Sequence, residues 1–126
     1  LLNPGLPSPT GAVYRAYDDA PAGGADCPAA PSDWSLAAVI DWLAAQRNDL
    51  EAPALRVTPG IGEALAAMRA ASGCRLTRMS GSGATVFGLF DDRAAAVEAA
   101  VALDRPGWWG RPAVLGAADA EPPAAD

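Results

Sequence analysis

Apolar residues recur along the chain at two spacings, and the change between them separates helices from strands. Over residues 34–46, Leu36, Val39, Ile40 and Leu43 return at three- and four-residue steps with Asp41 between them, which predicts a helix with one buried face. Ser32 or Asp33 is placed to cap it, and Trp34 and Trp42 extend its apolar face or cover the edge. Residues 8–18 predict a shorter helix: Val13 and Tyr17 share a face, Ser8 stands at the N-cap and Pro9 suits the first helical position. Arg47-Asn48-Asp49 breaks the pattern, and Asn48 with Glu51 three residues on predicts a capped helix over 49–56 in the manner of a capping box. Pro59 opens a helix that sets Ile61, Leu65 and Met68 on one face and stops at Ser72-Gly73. A last helix is expected over 93–104, capped by Asp91 or Asp92, with Val97, Val101 and Leu103 partly buried.

The remaining apolar runs are too short for helices. Residues 74–79 and 84–90 read as strands joined by the glycine-serine turn Ser80-Gly81-Ser82-Gly83. Leu1-Leu2 reads as strand, Asn3-Pro4-Gly5 as a turn, and Trp108 to Leu115 as a last strand, where Gly110 and Pro112 point to an edge. Residues 19–33 are Ala, Pro, Gly and Asp without periodicity, and predict a flexible surface loop; 117–126 predict a disordered tail. Strands in a hairpin-like pair mixed with helices argue for one α+β domain over 1–116: an antiparallel sheet with helices packed on one face.

Composition narrows the chemistry. The net charge of −6 argues against a nucleic-acid surface, which needs clustered cations. All nine basic residues are arginine, and there is no lysine and no histidine. Cys27 and Cys74 lack metal-ligand spacing, so no metal site is expected, and two free thiols fit a reducing cytoplasm. No run is long enough to span a bilayer and no signal peptide is visible.

One segment carries candidate binding chemistry. In Ser80-Gly81-Ser82-Gly83 two glycines leave the backbone amides unshielded by side chains, so a phosphate or a neighbouring loop can approach them closely. The plain alternative is a connecting turn rich in Gly and Ser. For Asn48-Asp49-Leu50-Glu51, helix capping outweighs catalysis, and Asp49 and Glu51 point to different faces. Most arginines are read as surface charge, with Arg78 nearest the turn. Of Trp108 and Trp109, one is expected to pack on the sheet and the other to face outward or meet a partner.

Ser80-Gly81-Ser82-Gly83-Ala84-Thr85-Val86-Phe87 resembles the C-terminal glycine-rich motif of the GHMP kinases. Arg47 to Ala54 is similar to an Asn-Asp-Leu-Glu segment of that superfamily's isoprenoid-precursor branch. Leu1 to Gly5 followed by Ser8-Pro9-Thr10 resembles its strand, Asn-Pro turn and capped helix. The resemblance runs from Leu1 to about Gly116, with a gap near 19–33. It implies the ferredoxin-like C-terminal domain of an ATP- and Mg²⁺-dependent kinase acting on the hydroxyl of a small-molecule substrate. It also implies that Gly81, Ser82 and Gly83 offer N–H groups to a phosphate there, and Ser80 or Ser82 a hydroxyl. ATP and Mg²⁺ would be held mainly by an N-terminal kinase domain absent from this chain. No catalytic residue is then expected here, and the fragment alone should be inactive. A face left by its own N-terminal domain should give weak self-association. The alternatives are a homoserine- or mevalonate-type member of the superfamily, or a non-catalytic ferredoxin-like ligand-binding module.

Overall fold

The computed structural model describes residues 1–116; the tail expected over 117–126 lies outside them. The described elements are β1 (Leu2–Asn3), α1 (Thr10–Asp19), α2 (Leu36–Ala44), α3 (Glu51–Val57), α4 (Ile61–Ala70), β2 (Leu76–Met79), β3 (Val86–Leu89), α5 (Arg93–Ala102) and β4 (Trp109–Gly110). The sheet runs β2-β3-β1-β4, with every neighbouring pair antiparallel. A strand, helices, two adjacent strands, a helix and a closing strand in that spatial order is the split β-α-β arrangement of ferredoxin-like folds.

Alternation along the strands sets which face is buried. Leu2, Met79 and Val86 point to the helix side, where α4 lays Ile61, Ala64, Leu65 and Met68 against them. Leu2, Ile61, Met79, Val13 and Val86 are fully buried, each worth roughly 1.5–3 kcal/mol by area removed from water. α1 packs on α3, with Val13 and Ala54 buried between the helices and the core. This stacking brings the start of α1 and the residues before α3 beside the turn between β2 and β3.

Several boundaries differ from the sequence expectation, each for a stated reason. Ser8 does not cap α1: Pro9 holds the cap position without a side-chain bond, and the Ser8 hydroxyl donates to the Ser82 carbonyl at 2.6 Å. Ser35, not Ser32 or Asp33, caps α2, accepting from the Ala38 N–H, while Asp33 accepts from the Ser35 N–H. Asn48 closes the turn before α3 by accepting from the Leu50 N–H at 3.1 Å, and Leu50 is the helix cap residue. No capping box forms, because the Glu51 carboxylate accepts from the Met79 N–H instead. Asp92 caps α5 as expected, at 2.8 Å from the Ala95 nitrogen. Val97 and Val101 face solvent, and Ala99 and Leu103 are the buried residues of that segment.

The last strand pairs with β1 at Trp109–Gly110, and Leu1 and Arg111 exchange both main-chain bonds at 2.9 Å. Trp108 packs against the core with the Arg105 guanidinium 4.3 Å from its ring centre, and Trp109 is exposed. Residues 20–33 form no helix or strand; Trp42 Nε1 donates to the Pro28 carbonyl at 3.1 Å and Arg47 to that of Gly23.

Candidate functional site

β2 delivers the chain to the turn at Met79 and β3 takes it away at Val86. The turn is closed from within: the Ser80 N–H donates to the Thr85 carbonyl at 2.8 Å, and the Gly83 N–H to the Ser80 carbonyl at 2.9 Å. Gly81 and Gly83 both take positive φ, at 53° and 85°, the region a side chain resists. Their surroundings differ. A Cβ on Gly81 would meet nothing within 4 Å. One on Gly83 would lie 2.9 Å from Met79 Sδ, 3.1 Å from Ser8 Oγ and 3.2 Å from Ile61 Cδ1.

The donors are therefore distributed otherwise than the sequence suggests. The Gly83 N–H is spent inside the turn, and its α-carbon is pressed on the core. The Gly81 and Ser82 N–H groups have no partner among the described residues, nor does the Ser80 hydroxyl on its exposed residue. The Ser82 hydroxyl shares a 3.0 Å hydrogen bond with that of Thr10, the first residue of α1.

Three segments distant in sequence brace this turn. From the first strand, Asn3 Nδ2 donates to Thr85 Oγ1 at 3.0 Å. From the start of α1, Ser8 and Thr10 hold Ser82. From just before α3, Asn48 Nδ2 donates to the carbonyls of Met79 and Gly81, at 3.0 and 2.8 Å, and Glu51, the first residue of α3, accepts from the Met79 N–H at 3.1 Å. Sequence reasoning assigned Ser8, Asn48 and Glu51 to helix capping; all three grip the turn. Asp49 instead pairs with Arg47 at 2.7 Å. Arg78 faces away from the core and donates to the carbonyls of Leu43 and Ala44 at the end of α2, so it supplies no charge to the turn.

The result is a rigid, neutral set of donors at the surface. It suits an anionic oxygen, which backbone N–H groups in a positive-φ turn accept without a side-chain charge. No group of three or more Asp, Glu, Cys or His that could hold a metal occurs among the described residues. Cys27 and Cys74 are free thiols. No helix among the described residues is long and apolar enough to cross a membrane.

The model of the GHMP kinase C-terminal family matches residues 35–107. Among curated proteins, the chain is 55% identical over 120 residues to a 4-diphosphocytidyl-2-C-methyl-D-erythritol kinase of Methylobacterium radiotolerans, covering 91% of this chain and 41% of that protein. It is 51% identical over 116 residues to the protein of the same name from Caulobacter vibrioides, covering 88% and 40%, and 46% identical over 112 residues to that of Parvibaculum lavamentivorans, covering 86% and 39%. The chain thus spans about two fifths of the length of these relatives. No solved structure matches it significantly.

Proposed function

This chain belongs to the GHMP kinases, whose C-terminal domain it matches, and from that premise we propose that it forms the substrate-side part of a 4-diphosphocytidyl-2-C-methyl-D-erythritol kinase. The whole protein transfers the γ-phosphate of ATP to the 2-hydroxyl of that cytidylyl polyol, in cytoplasmic isoprenoid-precursor synthesis. The single observation that carries the reading is the pair of unengaged N–H groups at Gly81 and Ser82, in a turn that three other segments hold in place.

Phosphoryl transfer spreads negative charge over the equatorial oxygens of the moving group, and catalysis rests on positioning and charge stabilisation. Fixed main-chain donors serve that purpose because they need no reorganisation as charge develops. In this reading Gly81 and Ser82 orient a phosphate oxygen of substrate or nucleotide, and the Ser80 hydroxyl is a third donor. The chain holds no lysine and no acidic cluster suited to Mg²⁺ among the described residues, so the metal and most contacts to ATP fall to the N-terminal domain.

The test uses the full-length protein and residues 1–126 side by side. Phosphate transfer to 4-diphosphocytidyl-2-C-methyl-D-erythritol is expected from the first and not from the second. In the full-length protein, the amide NMR signals of Gly81 and Ser82 should shift on adding substrate with a non-hydrolysable ATP analogue, and that of Gly83 should shift less. Transfer by residues 1–126 alone, or unmoved Gly81 and Ser82 signals under saturating ligands, refutes the reading.

A further inference from the structure

A continuous sheet separates its two faces, but in this molecule one cavity of about 390 Å³ touches both. On the helix side it is lined by Leu2, Met68, Ala99 and Leu103, and on the opposite side by Phe87 and Leu89. It lies in the plane of the sheet between β3 and the residues that follow β4. The cause is in the register. Leu2 stands opposite Val86 on β3 and opposite Gly110 on β4. β3 runs on to Leu89 and the other chain wall runs on through Pro112 and Ala113, both at the cavity, with no strand between them.

We propose that the residues preceding Leu1 in the full-length protein continue β1 through this slot for about four positions, completing the middle of the sheet and tying the two parts of the protein together. Antiparallel pairing runs backward from Leu2, so the residue before Leu1 lies opposite Gly88 and Pro112, and the next opposite Leu89 and Ala113. Alternation then fixes chemistry. Leu2 points to the helices, so the first and third residues before Leu1 point there too, into the apolar space above Met68 and the small Ala99. These positions carry apolar side chains.

Three observations favour this occupant over a separate partner. The slot is walled by β3 on one side and by the chain that follows β4 on the other. The match is to the C-terminal family domain and to about two fifths of the relatives' length, so their unmatched length lies largely on the side where the slot opens. Leu1 N donates to the Arg111 carbonyl, so the backbone of β1 reaches the end of the slot already in register with the chain that follows β4.

The consequence is functional as well as structural. Val86 and Thr85 lie next to β1, and Asn3 holds Thr85. Completion of β1 therefore stiffens the strand that carries the glycine-serine turn, and links the turn to the segment arriving from the N-terminal domain.

Hydrogen exchange followed residue by residue tests the proposal. Within Phe87 to Leu89, the N–H that faces away from β2 is that of Gly88, since those of Phe87 and Leu89 pair with Arg78 and Leu76. In the full-length protein the Gly88 amide should exchange as slowly as those of Phe87 and Leu89. In residues 1–126 alone it should exchange on the order of a hundredfold faster or more, as expected for an unpaired edge. Rapid exchange of the Gly88 amide in the full-length protein overturns the proposal, and this arm does not require the shorter chain to fold. Protection in residues 1–126 that rises with protein concentration also overturns it, because a second copy would then fill the slot. Charged residues at both the first and third positions before Leu1 would do the same. None of these outcomes depends on which substrate the enzyme phosphorylates.

Discussion

The side-chain nitrogen of Asn48 lies 2.8 Å from the carbonyl of Gly81, although 33 positions separate the two residues in sequence. The same nitrogen reaches the Met79 carbonyl, and the amide oxygen accepts from the Leu50 N–H. Both ends of the side chain are thus used, one on its own segment and one on the turn. Asn48→Asp keeps the acceptor for Leu50 and places a carboxylate oxygen against two carbonyls. It should cost about 1–3 kcal/mol of stability, more than Asn48→Ala, which only removes the bonds. In the full-length enzyme both variants should lower kcat more than they change KM, since Asn48 positions the turn and touches no ligand. Urea melts and steady-state kinetics check this; an Asn48→Asp enzyme with unchanged kcat would separate the brace from catalysis.

Glu51 offers a gentler probe of the same brace. Its carboxylate accepts from the Met79 N–H at 3.1 Å, in a partly buried setting. Glu51→Gln retains an acceptor oxygen and should change stability by less than 1 kcal/mol, whereas Glu51→Ala leaves the N–H without a partner and should cost about 1–3 kcal/mol. The double variant Asn48→Ala with Glu51→Ala should lose a different amount from the sum of the two single losses, because both hold Met79. A double-mutant cycle in urea measures the coupling, and strict additivity would show two independent contacts.

How far the sequence revealed this arrangement depended on the range of the interaction. The turn 80–83, its flanking strands and the Asp92 cap were legible because each is encoded within a few neighbouring residues. The roles of Ser8, Asn48 and Glu51 were not, because a serine or asparagine ahead of a helix has the same local pattern whether it caps the helix or reaches elsewhere. Ser8 found the Ser82 carbonyl 74 positions away, a contact that only the stacking of α1 beside the hairpin creates. Within the expected strand Trp108 to Leu115, pairing with β1 is seen at Trp109–Gly110. Val97 and Val101 misled through residue type, since the face of α5 turned inward carries the smaller Ala99.

The segment 19–33 should be the first site of proteolysis. Residues 20–33 form no helix or strand, and Gly23 and Gly24 have open space around them. Its named ties are the Trp42 bond to Pro28 and the Arg47 bond to Gly23, together with the edge-on contact of Trp34 with Trp42 at 5.9 Å. Limited digestion by a broad-specificity protease should cut between residues 20 and 27 before any helix. Trp42→Phe, which removes the indole donor, should speed that cut severalfold and leave the thermal melt of the core within a few degrees. Resistance of this stretch equal to that of α4 would show that its ties hold it as firmly as packed structure.

The two glycines of the turn should respond to substitution in opposite ways. At Gly83 the place of a Cβ is taken by Met79, Ser8 and Ile61, so Gly83→Val forces side chains into a packed core and places a β-branched residue at positive φ. Overpacking costs about 1–3 kcal/mol and the left-handed backbone about 1–2 kcal/mol more. The variant should therefore be poorly folded, and its loss of activity should follow its loss of structure. At Gly81 a methyl group enters open space, so Gly81→Ala should cost only about 1–2 kcal/mol for the backbone and remain folded. It lies beside the unengaged N–H groups, where displacement of a bound phosphate by about an ångström can lower the rate on the order of a hundredfold. Gly81→Asn, which tolerates the left-handed conformation better, should recover the stability and not the rate. Circular dichroism, thermal melts and steady-state kinetics on the three full-length variants separate the cases. A folded Gly81→Ala enzyme with near-normal kcat and KM would make the turn a connection between β2 and β3 and remove the phosphate-binding role from Gly81 and Ser82.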